Sequence, residues 1–183
     1  QNCIRCDSSL GESENISSKR GFLKSTFVRR SLICLTVVLI AVAGFYASLV
    51  ISADRLTSDK KAGVGEAIDY LEAKGFSDEV FLLRNVTAFR GHDNWLNATV
   101  AKENAYAATN FPFEIITVYP DFFTYPLDTV ERAAILLHEA KHLEGKDERE
   151  AYEFVWKNHK RLGWTGDLYS ESVVRREIRK QTK

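Results

Sequence analysis

No cysteine lies beyond Cys34, so the C-terminal two thirds of the chain has no disulfide to hold it. Its stability must come from a packed core and from any metal it binds. The three cysteines present are Cys34, inside an apolar run, and Cys3 and Cys6 in a lone CIRC. A zinc ribbon needs a second such pair, so the CIRC stays open between a half-ribbon remnant, a lipidation site and chance. The chain also lacks an excess of charge of either sign, with 25 basic and 25 acidic side chains. What basic excess exists sits in the first 51 residues, and the remainder is mildly acidic, which excludes a basic groove for nucleic acid. No internal repeat or low-complexity tract is visible, which excludes a repeat architecture.

One long apolar run is present. SLICLTVVLIAVAGFYASLVIS, residues 31–52, carries no charge and is long enough to cross a hydrocarbon core of about 30 Å as a helix. Basic residues crowd its N-terminal flank, in KRGFLKSTFVRR, whereas ADRLTSDKK after it is mixed. The positive-inside rule then assigns residues 1–30 to the cytoplasm and residue 53 onward to the far side of the membrane, periplasmic, extracellular or lumenal. AVA at 41–43 imitates a signal cleavage site, but signal cores usually run about 7–15 residues, so an uncleaved single-pass anchor is the reading preferred. Residues 56–183 then form one domain, large enough to bury close to 70% of its unfolded surface.

Within that domain AGVGEAIDYLEAK (62–74) has a helical period with Gly75 as its stop signal. VFLLRNVTAF (80–89), WLNATV (95–100) and FEIITVY (113–119) are rich in β-branched and aromatic residues and predict a small sheet. Asp128 with Glu131 three residues on has the capping-box pattern and opens a helix over about 128–144. Further helices are predicted over 147–162, with Asp147 as cap, and over 168–180. The fold class is α+β, a single transmembrane helix followed by a small domain with a short mixed or antiparallel sheet.

The helix over 128–144 contains His138-Glu139-Ala-Lys-His142. At about 100° per residue the histidines share one face with Glu131, Ala134 and Ile135, while Ala133, Leu136, Leu137, Ala140 and Leu143 share the other. Histidines at i and i+4 project one turn apart from the same side, the spacing that lets two imidazoles reach one zinc ion. Glu139, rotated by about 100°, is too far round to be a third ligand but well placed to hold a water at the metal. A third ligand must come from elsewhere. Of the nearby acids Glu144, Asp147, Glu148 and Glu150, Glu148 points along the arc defined by Ala151, Tyr152, Phe154, Val155 and Trp156, and a carboxylate there is costly unless paired or metal-bound. The plainer alternative is a first-turn glutamate favouring the helix dipole. His92 reads as a loop residue, and His159 lies three turns from Glu148, too far along its helix to join. Asn85-Val-Thr87 and Asn97-Ala-Thr99 are sequons, relevant only in a eukaryotic secretory route.

These residues resemble the zincin metallopeptidases. His138 to Glu148 has the H-E-x-x-H-x-x-G-x-x frame of the metzincins with Glu in the place of their third ligand, although the chain holds no methionine for the turn those proteins carry. Glu148-Arg-Glu-Ala151-Tyr152-Glu-Phe154 is similar to the glutamate-helix pattern of gluzincins and minigluzincins, whose first glutamate binds zinc; Tyr152 replaces the usual acid or Asn. The resemblance implies zinc held by His138, His142 and Glu148, a bound water with its pKa lowered to about 7, and Glu139 as general base. It also implies that FEIITVY, if an edge strand, pairs with an extended peptide. Tyr152 is the candidate oxyanion stabiliser or partner of a ligand, with core packing of its ring equally open. The preferred function is a membrane-anchored zinc metallopeptidase acting on a peptide or protein substrate. The alternatives are a zinc-binding but non-catalytic structural or interaction domain and a tethered binding domain without metal. Glu139 favours the first, because metal storage needs no general base.

Overall fold

The structure, a computed structural model, describes residues 14–96, 105–110 and 113–182, with side chains from residue 26 onward. The cysteines of CIRC and the second sequon, Asn97-Ala-Thr99, lie outside the described residues. The chain divides into two units, Gln1–Phe45 and Tyr46–Lys183.

The first unit contains most of helix α1 (Glu14–Ser52). The stretch Thr26–Ser52 within α1 is long and apolar enough to cross a membrane, with 27 residues at a mean hydropathy of 2.5. At 1.5 Å per residue it spans about 40 Å. From Val28 to Val42 its leucines, isoleucines and valines are exposed on all sides, as lipid-facing side chains would be, whereas Leu49 near its end is buried. Its one hydroxyl-bearing residue in the middle, Thr36, donates back to the Leu32 carbonyl at 2.9 Å, so no side-chain donor is left over there.

In the second unit α2 (Ser58–Ala73) follows its predicted period and buries Val64, Ala67, Ile68 and Leu71. It ends at Gly75, whose φ of +80° is the left-handed conformation glycine adopts without strain. The strand expected over 80–89 is instead helix α3 (Ser77–Asn85) followed by β1 (Ala88–Arg90). The reason is legible in burial. Glu79, Val80 and Leu83 are the buried residues of α3, a helical spacing, and Asp78 and Glu79 at its start with Arg84 at its end suit the helix dipole. Packing at that period outweighed the β-branched composition.

The sheet has three strands in the order β1-β3-β2, where β2 is Ala107–Asn110 and β3 is Ile115–Val118. β3 pairs in parallel with β1 and antiparallel with β2. FEIITVY therefore supplies the central strand, all four residues of β3 being buried, and is not an edge. The edge beside the site is β2, which the composition of AATN gave no reason to expect. The strand expected over 95–100 has a turn at residues 95 and 96, and its remainder lies outside the described residues.

After the short α4 (Asp121–Thr124) comes α5 (Thr129–Leu143), buried on nearly every side from Glu131 to Lys141. The expectation of one packed face and one open face is thus corrected: only the histidine end of α5 meets a cleft. Asp128 caps α5 through the amides of Val130 and Glu131. The reciprocal half of the expected capping box does not form. The Glu131 carboxylate, fully buried, instead accepts from Leu127 N and Trp164 Nε1, both at 2.9 Å, and from Ser172 Oγ. The complete capping box belongs to α6 (Glu148–Lys157), between Asp147 and Glu150. α6 is shorter than the 147–162 expected, since turns occupy the residues after Asn158. α7 (Val173–Gln181) begins later than expected, capped by Ser172 through Arg175 N at 3.0 Å.

Glu131 thus ties the start of α5 to Trp164 and to the cap of α7. Glu131→Ala, which strands the Trp164 and Ser172 donors, is expected to cost about 3 kcal/mol, and Glu131→Gln about 1 kcal/mol. Urea unfolding of the full chain in detergent, followed by tryptophan fluorescence, measures both.

Candidate metal centre

The site forms where the last turn of α5 meets the first turn of α6. Gly145, at φ +80°, lets α5 stop and the chain reverse within the short link to Asp147, which places Glu148 opposite the two histidines. His138 Nε2 and His142 Nε2 lie 3.1 Å apart. Glu148 brings Oε2 to 3.2 Å from His138 Nε2 and Oε1 to 3.5 Å from His142 Nε2. His138, His142 and Glu148 therefore form a group that could hold a metal ion.

Elementary geometry tests the fit. Ligands about 2.0–2.1 Å from a tetrahedral ion stand about 3.3–3.4 Å from one another. The imidazole nitrogens at 3.1 Å and Glu148 Oε2 at 3.2 Å from His138 Nε2 lie close to that value, while the 3.5 Å contact with His142 is made by the other carboxylate oxygen, Oε1. His142 is also supported as a ligand should be: its Nδ1 lies 2.9 Å from the Lys146 carbonyl, which accepts the Nδ1 proton and leaves the Nε2 lone pair facing the centre. His138 differs. Its Nδ1 is buried without a hydrogen-bond partner among the described residues, and its ring is set by packing, 4.2 Å from the Tyr152 ring and 4.7 Å from that of His142.

Glu148 follows the direction read from the sequence, three and seven residues before the buried Ala151 and Val155, but its side chain is 72% exposed. At the first turn of α6 that face overhangs the end of the packed helix pair. The carboxylate therefore reaches the imidazoles from the open side of the cleft. Hydrogen bonding to Glu148, opposed by burial, pushes His142 up to about 9. Hydrogen bonds first from His138 and then from His142 hold the Glu148 carboxyl well below its usual range.

Glu139 is buried but lines the same cleft. Thr109 Oγ1, on β2, donates to Glu139 Oε2 at 2.8 Å, and among the described residues the carboxylate has no other hydrogen-bond partner. Thr109 was not foreseen, because nothing in AATN marks a strand facing the motif. Lys141, inside the motif, is likewise a structural surprise. Its buried ammonium pairs with Glu79 at 2.5 Å and Glu144 at 2.7 Å and sits 3.8 Å from the centre of the Phe154 ring. It joins α3, α5 and α6 immediately before His142.

No family model, curated protein or solved structure matches this chain.

The geometry alone therefore defines the site. Of the other sequence candidates, Glu150 caps α6 and pairs with Lys146, and Glu144 pairs with Lys141. His92 sits on the surface beside the Asp93 carbonyl. His159 stacks on Trp156. None of these joins the cluster. Burial, then the field of Glu148, push the Tyr152 phenol up to about 12, so it keeps its proton at neutral pH. Because its ring is what orients His138, Tyr152→Leu is expected to weaken zinc binding about tenfold. Tyr152→Phe keeps the ring and is expected to leave affinity within about twofold; isothermal titration separates the two.

Proposed function

We propose that this chain is a membrane-anchored zinc metallopeptidase of zincin type, with His138, His142 and Glu148 as metal ligands and Glu139 as general base. The observation that carries the reading is the convergence of two imidazole nitrogens and one carboxylate, from two helices, with one candidate ligand atom from each residue all within 4.8 Å of one another. A two-histidine, one-carboxylate set is the donor chemistry of catalytic zinc, which leaves one position for water. Bound there, zinc supplies a Lewis acid that polarises a carbonyl and lowers the pKa of water to about 7.

The chain's own groups supply the rest. Glu139 holds one carboxylate oxygen on Thr109, which leaves the other to accept a proton in the cleft and return it to the leaving amine. The cleft, about 900 Å³, runs along β2. Tyr106 O accepts from Tyr119 N at 3.0 Å, so alternation along the antiparallel pair turns the backbone groups of Ala107 and Thr109 to the outer edge, toward the cleft. An extended peptide can pair with that edge and lay its backbone across the metal centre. The apolar helix then serves as anchor, its basic flank cytoplasmic and the catalytic unit on the far side.

The second reading, a zinc-binding structural domain, draws on the same Thr109 bond, which also suits a glutamate that merely ties α5 to the sheet. Incubating the detergent-solubilised full chain with a mixed peptide library distinguishes them. Cleavage that is lost to a chelator and restored by added zinc supports the peptidase. Stoichiometric zinc with no cleavage supports the structural domain.

A further inference from the structure

The cleft carries more carboxylate than the metal centre uses. Besides Glu139 and Glu148 it is lined by Asp121, the first residue of α4, and Glu177 on α7, and among the described residues no lysine or arginine lines it. The same wall presents two aromatic rings, Tyr106 and Tyr125, with centroids 6.2 Å apart and edge to face. Tyr125 is 51% exposed.

Asp121 and Glu177 line the cleft with these rings and act on the Tyr106 phenol. The Tyr106 phenol is raised above its ordinary value by burial first and then by the fields of Glu177 and Asp121. The field of Glu177 also reaches Tyr152, whose ring lies against His138, so the patch adjoins the metal centre. Glu177 has one ion pair among the described residues, with Lys180 at 2.8 Å. Both partners are exposed, a pairing that contributes little and yields readily. A concave wall that offers π-faces beside two carboxylates is matched by a cation on an aliphatic stem.

We infer that Tyr106, Tyr125, Asp121 and Glu177 form a subsite for a lysine or arginine side chain of the peptide substrate. The stem lies along the rings and the charged head reaches the two carboxylates. The inference deepens the peptidase reading and rests on it for the occupant being a peptide.

The test reads binding without turnover. Fluorescein-labelled six-residue alanine peptides, each with one lysine, one norleucine or one glutamate at a scanned position, are titrated by anisotropy against the zinc-loaded full chain carrying Glu139→Gln. At one position lysine is expected to bind about tenfold more tightly than norleucine, the order expected of two exposed ion pairs and a cation–π contact, and glutamate more weakly than either. The preference should shrink as salt rises from 50 to 500 mM. Asp121→Asn with Glu177→Gln should erase it, and Glu177→Lys should turn it toward glutamate. Equal affinity for the three peptides, no binding of any, or a lysine preference that survives those substitutions overturns the subsite. Lysine-selective binding to the Glu139→Gln chain, with no cleavage of the same peptides by the zinc-loaded chain that keeps Glu139, would leave the subsite standing and remove the peptidase.

Discussion

His138→Ala is expected to abolish stoichiometric zinc in the full-length chain and to lower its zinc affinity by at least about 10³-fold, since one of three protein ligands is lost. His142→Ala should behave alike. Glu148→Gln should be milder, because its exposed carboxylate is replaced by an amide oxygen that remains a weak donor. Metal analysis of the purified variants and competition against a chromophoric chelator measure all three. pH adds a signature. In the metal-free protein the ion pair with Glu148 raises His142 to about 9, so this pairing stabilises the fold fully below the ordinary histidine value of about 6.5 and less as pH rises through 9. Zinc must displace that proton. Affinity should therefore climb by up to about tenfold per pH unit from neutrality to about 9, with proton release visible in titrations in buffers of different ionisation enthalpy.

Glu139→Gln is expected to leave zinc bound and to reduce peptide cleavage by about 10³-fold, within the range attributed to general acid–base groups. The amide keeps the shape of the side chain, and its one oxygen can still accept from Thr109, but the NH2 it then leaves in the cleft cannot take up a proton. The separation of the two readouts is the point. A glutamate that only braces α5 against β2 would, when changed to glutamine, lower stability and leave turnover per folded, zinc-loaded molecule unchanged.

The His138, His142 and Glu148 group that could hold a metal ion was legible in the sequence because its spacing is local. His138 and His142 are four residues apart on one helix, and Glu148 follows after a glycine-made break, so helical geometry and the glycine together set the direction of every ligand. What the direction could not give was burial: Glu148 lies on the packed arc of α6 yet at its overhanging first turn. The sheet was less legible. VFLLRN has the composition of a strand, and only its contacts with the rest of the domain show the helical period of Glu79, Val80 and Leu83. AATN lacks the bulk that marks a strand, but β3 needs an antiparallel partner and takes it. The capping-box pattern of Glu131 rests on Asp128 three residues away, whereas its carboxylate accepts from Leu127 N and, more than 30 residues distant, from Trp164 and Ser172. The residues around the cleft, Thr109, Tyr106 and Glu177, are likewise brought together only by the tertiary fold.

X-ray absorption at the zinc edge of the zinc-loaded full chain tests the centre most directly. The expected spectrum is a four-coordinate shell of light atoms at about 2.0–2.1 Å, with outer-shell scattering from two imidazoles that remain in the milder variant Glu148→Gln. A shell of oxygens without imidazole scattering, or one with a single imidazole in the unsubstituted chain, would contradict it.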